Sequence, residues 1–280
     1  PQLLPRNKQL NMKNIISALT ILVTAITSIN AQERMVVPGT KISMIAPKDF
    51  TAATSFSGFQ HTTTNSTIMI IVLPGPFDQI ASGINEENLR KAGVTISSKT
   101  DTIHQGQKAI WVRGTQNLYN ITFSKAILVF GDSNRTIMVN IAFPINQKAL
   151  APVMYRSALS VNYNEDQQAK PEEGVSFTID TIGTGYEIKN GVAGSLSYMP
   201  KGRIDKSGPT FIAGRSVGKA LIGDQKTYTE RRLKQLPSFT DYQIKHNIPV
   251  TIDGLSGYQI QAEGKENEIV LLTMLYLPDD

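Results

Sequence analysis

Gly214-Arg-Ser-Val-Gly218 fits the pattern G-x-S-x-G, and an apolar stretch that reads as a strand precedes it. In a nucleophile elbow, a strained strand-to-helix turn lifts the serine above the edge of a parallel sheet. A histidine then activates it and an acid orients the histidine. Only His246 follows Ser216, with Asp224, Asp241 and Asp253 as nearby acids. The chain beyond them is short for the further parallel strands of a hydrolase. A small serine hydrolase using Ser216 is therefore kept as the alternative reading, behind a chance match. The same glycines do not make a phosphate loop. Gly214 to Gly218-Lys219 is one residue short, and Ala220 stands where a Ser or Thr would hold magnesium.

The three histidines, His61, His104 and His246, are far apart, and none forms a helical H-x-x-x-H pair. His61 with His104 would make a site only if their strands were neighbours; surface or loop positions are the simpler expectation. Cysteine is absent, which excludes disulfides, thiolate metal sites and a cysteine nucleophile. No carboxylate pair stands out from solvated charge. No catalytic, cofactor-binding or metal-binding residue is assigned, and no cofactor is expected. A calcium- or zinc-dependent adhesion module is a third reading.

The formal charge of +5 misleads. Arg6, Lys8 and Lys13 precede Ala31, and no acid does; without them 25 bases face 23 acids. A nucleic-acid binder carries a basic stripe. Arg231-Arg232-Leu233-Lys234 is broken by Leu233 and preceded by Glu230, so it reads as a solvated helix face and no nucleic-acid partner is expected.

Met12 to Ala31 reads as a secretory signal peptide. Lys13 precedes an apolar run from Ile15 to Ile29, and small Ala31 marks cleavage before Gln32. The run is shorter than the roughly 20 apolar residues of a membrane span and contains several Ser and Thr. Residues before Met12 do not read as leader. The mature chain is expected to be exported, periplasmic or extracellular, with no stable transmembrane span.

The remaining chain is organised around one strand that occurs twice. Gly106-Gln-Lys-Ala-Ile-Trp-Val-Arg-Gly114 aligns with Gly254-Leu-Ser-Gly-Tyr-Gln-Ile-Gln-Ala262. Ile110 falls on Tyr258, Val112 on Ile260 and Gly114 on Ala262, so one face is apolar in both. Trp111 and Arg113 fall on Gln259 and Gln261. Around the first copy, Gly39–Ile45 and the apolar run Thr67–Leu73 read as strands. Asn85 to Gly93 reads as a helix, capped by Asn85 and stopped by Gly93. Strands follow at Val94–His104, Lys108–Thr115, Ile121–Phe130 and Thr136–Phe143, the last two joined by the turn residues Gly131–Asn134. A helix then starts near Ala151 and runs to Val161, and it should cover Trp111.

Asn162 to Gly174 lacks apolar periodicity and reads as a linker. With Gly174 set on Gly39, Phe177 falls on Ile42 and Ile179 on Met44. Strands are expected at Leu196–Met199 and Thr210–Arg215, and a helix over Asp224–Leu236. Further strands are expected at Phe239–Ile248, Ser256–Glu263 and Glu268–Leu277. Pro278 falls where the first copy turns its hairpin, so a last strand and helix have no counterpart. A truncated sequence, or a partner that supplies the pieces, would account for this. Either leaves Glu268–Leu277 as an apolar strand with an open edge. The fold class expected is α+β: two tandem α/β/α sandwich modules, residues 36–161 and 175–280, the second lacking its last strand and helix.

The order of strands, helix, meander and C-terminal helix resembles the PsbP-like fold, named for the extrinsic photosystem II subunit and shared by a Ran-binding import factor and by exported bacterial proteins. The resemblance covers Met35 to Val161 and part of Val175 to Asp280. It implies a non-catalytic binding or assembly module, and no family residue carries over position by position. The function expected is an exported module of the bacterial cell envelope that binds a protein, glycan or lipid.

Overall fold

Alternating branched and aromatic residues along the first half of the chain build one large antiparallel sheet with two apolar faces. A computed structural model describes residues 33–118, 120–203, 208–216, 222–236, 241–264 and 268–278. The expected signal peptide with Ala31 and Gln32, and Val217 and Gly218 of the serine pattern, lie outside them. The chain divides into two compact units, residues 1–217 and 218–280. Among the described residues no helix is long and apolar enough to cross a membrane.

In the first unit, seven antiparallel strands lie in the order β3-β4-β5-β9-β8-β7-β6. They are β3 (Thr51–Ala52), β4 (Gly58–His61), β5 (Ser66–Pro74), β6 (Val94–His104), β7 (Gln107–Leu118), β8 (Ile121–Gly131) and β9 (Arg135–Pro144). Helices α1 (Phe77–Ser82) and α2 (Glu86–Lys91) belong to one face, where Phe77, Leu89, Ile110, Val112, Ile127 and Val129 cluster. Helix α3 (Ala151–Leu159) belongs to the other, with Ala126, Leu128, Phe130, Val139, Met154 and Ala158. A small sheet of β1 (Arg34–Val36), β2 (Ile42–Ile45) and β10 (Asn162–Tyr163) adds Ile42 and Met44 to that second cluster.

The local signals that shaped these elements are visible. Asn85 accepts a hydrogen bond from the Asn88 amide at 2.9 Å and caps α2. Pro152 sits in the first turn of α3, where its missing N–H costs nothing. Asp132 accepts from the amides of Asn134 and Arg135, closing the β8–β9 turn.

Asn162–Gly174 is not a free linker. It supplies β10, Lys41 donates to the Glu165 carbonyl, and Gln167 donates to the Thr40 carbonyl. Polar side chains tie this segment down, and hydrophobic periodicity does not register them. Gly39 and Gly174 are not equivalent positions either. They touch: a Cβ on Gly39 would lie 2.8 Å from the Gly174 nitrogen. The strand expected after Gly174 is absent, and the next strands are β11 (Tyr186–Val192), β12 (Ser195–Pro200) and β13 (Phe211–Gly214), a separate antiparallel sheet.

The second unit contains α4 (Gln225–Leu233), β14 (Gln243–Ile252), β15 (Leu255–Glu263) and β16 (Ile269–Leu275), with the strands paired in that order. Asp224 caps α4 by accepting from the Thr227 amide. Leu233 packs on Ile260 and Ala262, with Val270 and Leu272 beside them. Thr229 and Tyr276 share a buried hydroxyl contact at 2.6 Å, and Asn247 donates to Glu230, so α4 is fastened to both flanks of its sheet. The expected start at Phe239 lies outside the described residues, and β14 is described from Gln243.

The β6–β7 and β14–β15 hairpins agree residue for residue. Both turn on a positive-φ pair, Gln105-Gly106 and Asp253-Gly254, as a two-residue hairpin requires. Ile110 pairs with Asp101 and Val129; Tyr258 pairs with Pro249 and Met274. The ladder skips one residue between Ile96 and Ser98, and again between Ile244 and His246, at the same distance from the turn.

Candidate functional site

Among the described residues, those that could do chemistry are not brought together. Ser216 is exposed and follows β13, which among the described residues pairs antiparallel with β12 alone. Among the described residues the next helix, α4, begins nine residues later, and no strand–turn–helix elbow around Ser216 is described. His61 is on β4 and His104 on β6, separated in the sheet by β5, β9, β8 and β7. His61 Nδ1 lies within hydrogen-bonding distance of the Thr64 amide and hydroxyl. His104 is buried, edge-on to Phe130, with Nε2 3.3 Å from the Val161 carbonyl; burial holds its pKa below the usual histidine value. Among the described residues no group of three or more His, Asp or Glu could hold a metal. Arg231 and Arg232 are exposed at the end of α4 while Leu233 is buried, as a solvated helix face requires.

Trp111 is half-buried, and α3 does cover it: Tyr155 meets the indole edge-on, centroids 5.5 Å apart. Beside it a shallow cleft of about 260 Å³ is lined by Thr100, His104, Trp111, Leu128 and Leu159.

Lys125 is an unexpected feature of β8. It is 8% exposed, no hydrogen bond or ion pair reaches it among the described residues, and burial lowers its pKa to about 8. It sits between Gly114 and Ala142 in the ladder. The corresponding place in the second sheet, opposite Ala262, is Val270.

The strongest surface is β16. Hydrogen bonds in an antiparallel pair alternate between partner and outside. Tyr276 donates to Ser256, and Gly264 donates to Glu268, so the even-numbered residues of β16 face β15. Ile269, Leu271, Thr273 and Leu275 therefore turn their N–H and C=O groups outward, where no strand pairs with them among the described residues. Their counterparts in β8 are Ser124, Ala126, Leu128 and Phe130, opposite Phe143, Ile141, Val139 and Ile137 of β9. β16 reads Ile-Val-Leu-Leu-Thr-Met-Leu, with no charge, proline or glycine. The other edge, β14, carries Pro249, Lys245 and the ladder irregularity, three devices that discourage pairing.

The face of this sheet opposite α4 is also bare. Ile269 is 66% exposed, Leu271 61% and Ile248 49%. On the first sheet, Ala126 and Leu128 at the places of Leu271 and Thr273 are buried beside α3. The open edge was expected from the sequence; the bare face was not, because only the placing of α4 on the opposite side reveals it.

No family model matches the sequence, and no curated protein does. Among solved structures, the chain is similar to a cyanobacterial PsbP from Synechocystis sp. PCC 6803, at 7% identity and a TM-score of 0.36, over 49% of this chain and 96% of that one. It is also similar to a Bacteroides thetaiotaomicron crystal structure, at 10% identity and a TM-score of 0.35, over 49% of this chain and 50% of that one. The chain thus spans about half the length of the Bacteroides protein, and each likeness covers about half of this chain.

Proposed function

We propose that this is an exported, non-catalytic binding or assembly protein of the bacterial cell envelope, with β16 as an edge that pairs with a further protein strand. The observation that carries the reading is the one-sided pairing of a neutral, unbroken apolar strand. Strand addition to such an edge draws affinity from backbone hydrogen bonds and specificity from alternate side chains. A glycan or lipid would leave those groups of Ile269, Leu271, Thr273 and Leu275 without linear partners. Export rests on the expected leader, cleaved between Ala31 and Gln32.

The two halves, residues 36–161 and 175–280, are read as related sheet-and-helix modules. The matched hairpins support this, as do the helices α2 and α4, which place Leu89 and Leu233 on the faces of Val112 and Ile260. In this reading the second module exposes what the first uses internally.

A photo-crosslinking amino acid at position 271, in the full chain expressed in its native host, tests the function. The expected result is one defined protein adduct that disappears when Thr273→Pro is added. No adduct from position 271, together with fluorophosphonate labelling that Ser216→Ala abolishes, would replace this reading with the hydrolase.

A further inference from the structure

We infer that the cleft beside Trp111 binds a small neutral aromatic ligand with one hydrogen-bond donor, its ring against the indole and its donor on His104. The site lies wholly within the first unit and is independent of β16. Its floor is one face of the large sheet. Thr100, Trp111 and Leu128 are cross-strand partners on β6, β7 and β8, so their side chains share that face. Thr102 and His104 continue the same side of β6 at alternate positions. Helix α3 packs on this face and leaves part of the indole uncovered. Tyr155 meets one edge of the ring, Trp111 stays half-buried, and Leu159 at the end of the helix, 53% exposed, forms a wall. That wall is fastened. The Val161 carbonyl accepts from Gln105 Nε2 at 2.6 Å and lies 3.3 Å from His104 Nε2, which ties the chain after α3 to the β6–β7 turn.

His104 sets the polarity of the ligand. A carbonyl only accepts, so the ring nitrogen beside Val161 carries the proton and Nδ1 keeps its lone pair. Burial favours this neutral form by holding the pKa below the usual histidine value. The residue is 6% exposed and sits edge-on to Phe130, and no donor reaches Nδ1 among the described residues. A buried acceptor is costly to leave without a donor, and a ligand hydroxyl or ring N–H supplies one. Among the described residues no charged side chain lines the cleft, so an ionic ligand would lose its hydration without gaining a counter-charge. Trp111 favours a flat aromatic ring over a saturated one. The volume of about 260 Å³ exceeds the roughly 150 Å³ of a cavity that takes benzene, which leaves room for two fused rings.

The test uses indole and 1-methylindole, the same fused ring with and without its donor, each added to the full nitrogen-15-labelled chain. Trp111 is the single tryptophan, so its side-chain N–H gives one unambiguous NMR signal. Indole should shift that signal and those of the His104 ring in a saturable way, and 1-methylindole should bind about tenfold more weakly. His104→Phe keeps an aromatic ring against Phe130 and removes the acceptor, so it should bring the two ligands to equal affinity. Thr100→Phe, at an exposed position of the edge strand, should fill the cleft and abolish the shifts for both ligands while the rest of the spectrum stays folded. Equal affinity of the wild-type chain for the two ligands would overturn the inference. Binding that leaves Trp111 unmoved, or that Thr100→Phe does not weaken, would place the ligand elsewhere and overturn it too. So would the absence of any shift up to the solubility limit of both ligands. None of these readouts involves position 271, so failure here leaves the reading of β16 standing.

Discussion

Ile96 and Ile244 hold the same place in two hairpins. Each stands ten residues before its turn glycine, each pairs with a small residue, Gly114 or Ala262, and after each the ladder skips one residue. A skipped residue bends the strand and increases its twist. Two hairpins bent at the same point present matching faces to α2 and α4. Around the matching hairpins the two sheets differ: Val270 stands at the place of Lys125, Gln259 at that of Trp111, and β16, unlike β8, has one strand partner among the described residues.

Lys125→Met should stabilise the protein at neutral pH. Burial lowers the folded pKa from 10.5 to about 8, which corresponds to about 3 kcal/mol lost to holding the charge. The unfolded chain binds the proton more tightly, so wild-type stability rises between about pH 8 and the unfolded value. Denaturant midpoints should therefore favour Lys125→Met below pH 8 and converge with wild type near pH 10.5. A gap that stayed constant with pH would show that the ammonium is not the cause.

Tyr155→Ala should uncover the single tryptophan. The edge-to-face contact with Trp111 and the packing of Tyr155 beside Phe143 would be lost, at about 3 kcal/mol. Emission should shift to the red and acrylamide quenching should rise. Unchanged quenching would mean that α3 does not shield the indole.

Tyr276→Phe should loosen α4 from β16. The phenol is shared with Thr229 and donates to the Gln225 carbonyl at 2.9 Å. Losing it should cost about 1–2 kcal/mol, read as an earlier denaturation midpoint with faster amide exchange in α4.

His104 should contribute an acid-sensitive step. Its folded pKa lies below the ordinary 6.5 because burial opposes the charge, so the unfolded state gains a proton first as pH falls. Stability is full above pH 6.5 and declines below it. His104→Phe should flatten that part of the profile, and NMR titration of the ring should give a value under 6.5.

Local chemistry explains what the sequence made legible. The cap at Asn85, the proline opening α3, the β8–β9 turn and the paired glycines Gly106 and Gly254 all act within a few residues. What escaped depends on distance or on absence of a signal. Helix α1 has Pro76 before it and no side-chain cap, so nothing marks its start. Gly39 and Gly174 look like repeated strand openings, yet they are neighbours in space. Lys125 reads as an ordinary polar residue until β7 and β9 enclose it. The open edge of β16 was legible because seven uncharged residues make an interior strand in any setting; the bare face beside it needed the position of Leu233.

Residue-resolved hydrogen exchange on the full chain tests the account most directly. Val270, Leu272, Met274 and Tyr276, which face β15, should be protected, while Ile269, Leu271, Thr273 and Leu275 should exchange rapidly and become protected when a partner strand binds. Protection of all eight amides in the isolated protein at every concentration would contradict an open edge, and with it the proposed role.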